Sequence, residues 1–482
     1  MTLSVFDAAR EAPERVALVA GKLTLTFDEL GARVLRRLAE LGEAGALDPR
    51  GERPVAVVAR PTLAVVETLF ALAAAGTPAL LLHARLTDGE QEALTRFAGA
   101  VAEPPPAPPA VTEPASVKRT APPVDLVPFD PERIAALVPT SGSTGVPRIV
   151  RLSHRAFLAA GRLTAERFGI ESDRSLLALP LAHIGGLGML FRCLLHRTAL
   201  VLFEPRRSML AELDRLAAAV VEQRVTIVSL VPTLLARLLE PPLAWRPPSS
   251  LRLVLLGGAP TPRELVERAR AAGVPVVPTY GMTETCASAV LGRYAERLTP
   301  PPRGGEILAS GSPGLGVEQR LVNGLLEVRG DTLFSGYLGG PEHSRGAWLA
   351  TNDRAFLDAH GELVVTGRAS DMIITGGENV DPAEVEAALT ALPEVALACV
   401  FGLPDPTFGE VVTALVVLNE GAVREANARA LTASLERRLA SYKRPRRIEL
   451  VRSLPLTAAG KLDRRAARAT LIDNNDLPGH YC

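Results

Sequence analysis

Six short, almost wholly apolar runs recur between amphipathic stretches in the first three hundred residues: PVAVVA at 54–59, ALLL at 79–82, TALVLF at 198–203, TIVSLV at 226–231, RLVLL at 252–256 and PVVPTY at 275–280. A strand buried on both faces needs no polar–apolar alternation, and the helical patterns over 27–41, 64–75, 209–223 and 263–272 supply layers to bury such strands. The alternation predicts parallel sheets flanked by helices, with two sheet edges able to face one another. Ligands in such folds sit beyond the carboxyl ends of the strands.

From 304 to 366 the pattern changes to alternating strands, with Asn323-Gly324 and His360-Gly361 as tight turns. After Arg368 come a strand, a helix opened by Asp381-Pro382, two more strands through Leu418, a helix over about 425–440 and a basic final segment, which together read as a separate lobe. The proline-crowded stretch 102–128 reads as an exposed connector. The expected fold class is therefore α/β: a large N-terminal domain of two flanked sheets plus a small β layer (1–368), a small α+β C-terminal domain (369–470), and a polar tail (471–482).

At 482 residues the chain exceeds one ordinary core, and its 47% hydrophobic share with 22% charged residues is that of a folded protein. Equal acidic and basic counts, 53 each, give no field to recruit nucleic acid or an anionic membrane. Glu67, Gly76 and Pro78 break the apolar stretch from Leu63 to Leu82, so no membrane span is expected. The four cysteines are scattered without CxxC or metal-ligand spacing, which fits a reducing cytoplasm.

Four segments carry candidate chemistry. TSGSTGVPR (Thr140 to Arg148) crowds two glycines and four hydroxyls into six residues, an anion cradle by composition that lacks the GK[ST] ending of a Walker loop; the apolar runs on either side place it between strands. The bland alternative is a flexible surface turn. TYGMTET (Thr279 to Thr285) follows a buried strand and offers an aromatic face, hydroxyls and the Glu284 carboxylate suited to Mg²⁺; the alternative is a helix cap at Thr283. Asp353 and Arg368 lie at the ends of an expected hairpin, where a carboxylate can accept from vicinal ribose hydroxyls. Finally, Lys461 in PLTAAGKLDR is one of only four lysines among 53 basic residues, and a compact ammonium can place three donors around a developing anion in a crowded site.

Taken in this order, the segments resemble the adenylate-forming superfamily of acyl-CoA synthetases, adenylation domains and luciferases, over residues 5–468. The resemblance implies that Thr140, Ser141, Gly142, Ser143, Thr144 and Gly145 hold ATP phosphates and that Gly258, Ala259 and Tyr280 line the adenine pocket. It further implies that Thr283 contacts the α-phosphate, Glu284 holds Mg²⁺, Asp353 and Arg368 bind the ribose, and Lys461 bridges the acyl carboxylate and the α-phosphate. It also implies a mobile C-terminal lobe hinged at Ser370, and a pantetheine tunnel lined by Gly376 and Gly377. Arg148 stands where the family usually has lysine.

Three further stretches, 179–205, 255–285 and 373–389, look most like the o-succinylbenzoate–CoA ligase family of menaquinone biosynthesis. That resemblance implies an acid pocket bordered by His183, Gly185, Gly186, Thr279 and Ser288, with ATP, Mg²⁺ and coenzyme A consumed alongside a small carboxylic acid. Ligases for other aryl, short- or medium-chain acids share much of this text, and an adenylating enzyme that loads a carrier protein is the other open reading. The sequence leaves the oligomeric state open.

Overall fold

The computed structural model of the protein describes residues 2–102, 127–140, 148–207, 209–287, 289–292, 307–375, 378–405, 407–419, 428–436, 438–457 and 460–472. All six apolar runs are strands. In the larger, nine-stranded sheet, Val276–Tyr280, Leu253–Leu256, Ile227–Leu230, Arg174–Leu177, Ala199–Leu202 and Val16–Ala20 lie side by side and parallel, and antiparallel strands close both edges. The second sheet runs Ala100–Ala102, Val55–Val58, Ala79–Leu82, Ile134–Thr140 and Arg148–Ser153, parallel except for its last pair.

Helices Phe27–Glu43, Leu63–Ala74, His154–Phe168 and Ile184–His196 form one apolar cluster with both sheets, including Leu18 and Leu200 from the first and Val55 and Leu81 from the second. Burial on this scale contributes about 25 cal/mol per Å² of apolar surface. Their starts are set locally: Thr26, Thr62 and Ser153 each accept a first-turn N–H, and Thr26 with Glu29 completes a reciprocal cap. Each such cap stabilises by about 1 kcal/mol. The other face of the large sheet is covered by helices Leu213–Glu222, Pro232–Leu239 and Arg263–Ala271.

The small β layer has four antiparallel strands, Val317–Val322, Leu325–Gly330, Leu349–Leu357 and Leu363–Arg368. Asn323 (φ 53°) and Gly324 (φ 76°) make the expected two-residue turn, whose left-handed dihedrals match strand twist. A single turn, Ala369–Asp371, follows Arg368. Beyond it a sheet of Glu378–Val380, Ile373–Thr375, Gly409–Leu418, Val395–Asp405 and Arg447–Leu450 packs on helices Pro382–Thr390 and Ala428–Leu435 around its own core of Ile373, Val385, Val400, Val412 and Leu431. Asp381 caps the first of these helices, as its Asp-Pro start implies.

Two local expectations change. The helix read over 425–440 is Ala428–Leu435 within the described residues, and the basic final segment contains a helix, Arg464–Ile472, whose one buried residue, Ala467, gives no apolar stripe to read. The proline-rich connector and the tail fall largely outside the described residues. Among those residues no helix is long and apolar enough to cross a membrane, and Cys193, Cys286 and Cys399 are buried free thiols.

Candidate active site

Adjacent parallel strands deliver the candidate residues from their carboxyl ends. Leu253–Leu256 runs into Gly257-Gly258, Val276–Tyr280 into Thr283 and Glu284, and Ile227–Leu230 into Thr233. Arg174–Leu177 leads to His183, and in the facing sheet Ala79–Leu82 leads to His83. The His83 and His183 rings lie 5.2 Å apart, so the carboxyl edges of the two sheets meet there.

The ribose candidates form one network. Asp353 and Arg368 are cross-strand partners, with Arg368 Nε 2.8 Å from Asp353 Oδ1. The Tyr280 hydroxyl donates to Asp353 Oδ2 at 2.6 Å, and Arg368 Nη1 donates to the Thr351 carbonyl at 3.2 Å. Burial pushes the Asp353 carboxyl up from its usual range while Arg368 and the Tyr280 hydroxyl oppose the shift. Burial, followed by the neighbouring Asp353 charge, pushes the Tyr280 phenol well above its ordinary value, so it remains a donor. Its polar edge is engaged here, a use the sequence did not indicate.

Lys461 sits in a tight loop closed by a Leu456–Leu462 bridge and by the Lys461 N–H donating to Thr457 Oγ1 at 3.2 Å. The Thr233 hydroxyl donates to the Gly460 carbonyl at 2.5 Å and ties that loop to the first turn of helix Pro232–Leu239. Lys461 then lies against Gly258, whose φ is +88°; a Cβ there would stand 2.8 Å from Lys461 Cε, so the lysine stem occupies the space a side chain would need. Lys461 still meets solvent through the open cleft. Even so, the protein atoms crowding it, and then the Arg368 charge, hold its ammonium below the usual lysine range, with Asp353 opposing.

Glu284 is 8% exposed and, among the described residues, has no cationic partner; its carboxylate accepts from the Tyr337 hydroxyl at 2.9 Å. A buried carboxylate without a counter-charge suits a hard divalent cation. Mg²⁺ is commonly held by one or two carboxylates plus phosphate oxygens, a donor set that a single buried carboxylate can join. The turn Thr283–Thr285 is a single turn capped through Thr285, whose Oγ1 accepts the Met282 N–H at 2.9 Å, so Thr283 is not the cap.

Thr140 ends its strand opposite Arg148, and its hydroxyl donates to the Arg148 carbonyl at 3.1 Å; the glycine/hydroxyl loop therefore spans a hairpin. Ser141, Gly142, Ser143, Thr144, Gly145, Ser288, Gly376 and Gly377 lie outside the described residues. Ala259 is exposed next to Gly258, and the Thr279 hydroxyl donates to the Leu256 carbonyl at 3.2 Å. Ser370 lies in the turn after Arg368.

On the acid side, His183 opens helix Ile184–His196, with Gly185 against Leu179 and Gly186 against the Leu179 and Pro180 carbonyls. Its Nε2 is buried without a partner, and burial, His83 and Lys461 together lower its pKa to about 4, so the ring is neutral. The same helix carries Arg192, 8% exposed, with Nη2 buried and unpartnered. Arg192 was not singled out from the sequence, although a lone arginine inside LGMLFRCLL is a visible signal.

Residues 5–338 match the model of the AMP-binding enzyme family and 384–461 that of the AMP-binding enzyme C-terminal domain. A 2-succinylbenzoate–CoA ligase of Geobacillus kaustophilus is 34% identical, with 94% of each chain covered. One of Bacillus subtilis is 32% identical over 95% of this chain and 96% of its own. The o-succinylbenzoate CoA synthetase of Bacillus subtilis, solved with its acyl-adenylate intermediate, superposes with a TM-score of 0.81 at 29% identity, covering 97% of this chain and 98% of the other. The same enzyme with ATP and magnesium gives 0.80 at 30% identity, covering 96% and 98%.

Proposed function

The chain belongs to the AMP-binding enzyme family, and from that premise we propose that it is an ATP-dependent o-succinylbenzoate–CoA ligase acting in menaquinone biosynthesis. The observation that carries the reading is the meeting of Lys461 with Gly258 beside the Tyr280–Asp353–Arg368 network, because a carboxylate attacking an α-phosphate needs a positive charge between two anions. A carboxylate oxygen of the acid attacks the α-phosphorus of ATP, the bond to pyrophosphate breaks, and an acyl-adenylate forms. The sulfur of coenzyme A then attacks the acyl carbon, the bond to AMP breaks, and the thioester is released.

Each residue has a role in that sequence. Asp353 and Arg368 hold the ribose, and Tyr280 keeps Asp353 oriented. Thr140 to Gly145 bind the β- and γ-phosphates, Gly258 and Ala259 border the adenine, and Thr283 contacts the α-phosphate. Glu284 would hold Mg²⁺, which when bound neutralises phosphate charge. Lys461 donates to the acid carboxylate and the α-phosphate in the first step, and the lobe after Ser370 then swings to bring Gly376 and Gly377 to the pantetheine path. This assigns residues 1–368 to the nucleotide- and acid-binding domain and 369–470 to the lid.

2-Succinylbenzoate carries two carboxylates, so one remains charged while the other is activated. Arg192, buried with a free guanidinium nitrogen, meets that second charge, and His183, Gly185, Gly186, Thr279 and Ser288 border the remainder of the pocket. The buried free thiols fit a reducing cytoplasm. The test is a panel of acids assayed for AMP release and for thioester formation. The dicarboxylic aryl acid is expected to give the highest kcat/KM with free coenzyme A. AMP release without thioester would favour a carrier-protein acceptor, and preference for a monocarboxylic acid would overturn the substrate.

A further inference from the structure

Tyr337 lies between two groups that act on the triphosphate, and it is held there from both sides. The segment Phe334–Leu338 runs along the strand that begins at Arg148: the Leu338 N–H donates to the Ile149 carbonyl at 2.8 Å, the Arg151 N–H to the Gly336 carbonyl at 3.0 Å, and the Ser335 N–H to the Arg151 carbonyl at 2.9 Å. On the other side the Phe334 N–H donates to the Glu284 carbonyl at 2.9 Å. Gly336 makes the bend possible, since its φ is +116° and a Cβ would lie 2.6 Å from the Pro341 carbonyl oxygen.

With the backbone fixed, the side chain meets both groups, and its hydroxyl interacts with the Arg148 side chain as well as with Glu284. Its hydroxyl donates to Glu284 Oε1 at 2.9 Å, and the Arg148 guanidinium carbon sits 5.3 Å from the ring centroid, within cation–π range. Phe334 meets the ring edge-on at 5.0 Å and limits its rotation. One oxygen of Glu284 thus accepts from the Tyr337 hydroxyl, which leaves the second oxygen for a cation. Arginine also gains from the ring where the family's usual lysine would gain less, because a planar guanidinium can stack on it.

We propose that Tyr337 is a positioning residue for adenylation, aiming the Glu284 carboxylate at the phosphate-bound cation and bracing Arg148 at the end of the phosphate loop, so that one side chain couples cation affinity to triphosphate affinity. The inference rests on the reading of Glu284 as the carboxylate that holds Mg²⁺.

The test uses the full chain and Mn²⁺ as the probe, with binding followed by electron paramagnetic resonance in the presence of a non-hydrolysable ATP analogue and no acid. Y337F keeps the ring and the stack while deleting the hydroxyl. It is expected to weaken Mn²⁺ binding about tenfold, the scale of one hydrogen bond to a charged acceptor, with a smaller loss in the metal-free affinity for the analogue because the ring still faces Arg148. Y337A loses the stack as well and is expected to weaken both. In an E284Q background Y337F should add nothing, because the two act through one contact. Wild-type Mn²⁺ affinity in Y337F alongside weakened binding in E284Q would overturn the positioning role and leave the Glu284 reading standing. Wild-type affinity in E284Q would overturn that reading first. Unchanged melting temperatures for Y337F and E284Q establish that the comparison is between folded proteins.

Discussion

Replacing Tyr280 by Phe removes one oxygen atom and isolates the part of the proposed nucleotide site that the described residues define best. The lost contact is the 2.6 Å hydrogen bond to Asp353, a carboxylate only 5% exposed. A hydrogen bond to a charged group contributes about 1.5 to 3 kcal/mol, or roughly 10- to 150-fold in affinity. The effect should fall near the lower end, since Arg368 still holds the other carboxylate oxygen at 2.8 Å. A rise of about tenfold in KM for ATP is therefore expected, with kcat little changed.

The pH dependence makes the test sharper. Burial already raises the Asp353 pKa, and Tyr280 is one of the groups holding it down, so Y280F must raise it further. In the proposed ribose contact Asp353 is the stronger acceptor when ionised. As pH falls, the variant loses ATP affinity earlier than the wild type, and the affinity deficit widens between the two pKa values. Stability behaves oppositely: a carboxyl whose folded pKa lies above its unfolded value is relieved of a cost when it takes up a proton, and the variant takes it up first. Its stability deficit should thus shrink over the same pH interval. Isothermal titration with the ATP analogue and urea unfolding, both run from pH 8 to pH 5, measure the two trends. Coincident pH profiles for Y280F and wild type, with a KM change under twofold, would refute the Tyr280–Asp353 contact as part of the nucleotide site.

Substitutions at three further positions probe the lobe, the lysine and the core. Lys461→Ala should cut adenylate formation by about 10²-fold, the scale of one lost transition-state donor, while thioester formation from supplied acyl-adenylate survives; equal loss in both steps would contradict a lysine used in one. Because the Lys461 ammonium is held below the ordinary 10.5, pyrophosphate exchange should decline with rising pH earlier than an ordinary lysine would allow, and the low residual rate of K461R should show no such decline. Ser370→Pro should damage the thiol step more than adenylation, because a fixed φ in the turn Ala369–Asp371 restricts the swing; equal damage would remove the hinge assignment. His154, 4% exposed, has its pKa lowered by burial from 6.5 to about 4, so its folding contribution is intact above pH 6.5 and is lost as pH falls toward 4. That is about 2 kcal/mol between pH 8 and pH 5, and denaturant midpoints should show H154Q losing less stability over that interval than the wild type does.

The parallel strands were legible because strands buried on both faces must be continuous apolar runs, and no other element of four to six residues looks the same. Arg174–Leu177 escaped because RSLL opens with a charge and a hydroxyl in place of an apolar run, and the amino-terminal hairpin Val16–Ala20 with Leu23–Thr26 escaped because it sits at the edge of a sheet assembled from later segments. In the site, the motifs named the groups and their types. Sequence could not reveal contacts that depend on tertiary closure: Tyr337 with Glu284 is a separation of 53 residues, and Thr233 with Gly460 is one of 227. Arg192 lay between these cases. Its charge stood out in an apolar helix, but only burial and an unpartnered nitrogen turn it from a snorkelling surface residue into a recognition candidate.

The scarcity of lysine acquires a physical reason at Gly258. A chain that uses arginine for 49 of its 53 basic residues has lysine where the side chain lies against Gly258, at a point where a Cβ would stand 2.8 Å from Lys461 Cε. A guanidinium is broader than an ammonium and fixed in a plane, so it cannot follow the Lys461 stem past Gly258 and still turn three donors toward one oxygen-rich centre. The requirement runs both ways. Gly258 must be glycine because its φ is +88° and because the lysine fills its side-chain space, and Lys461 reaches that space only while the Thr233 hydroxyl holds the Gly460 carbonyl. A residue from the end of the chain is thus a working part of a sheet edge built two hundred residues earlier only in this one arrangement of the lobe. Under the proposed two-step mechanism, an arrangement of the lobe that breaks the Thr233 contact withdraws the lysine charge after the first step.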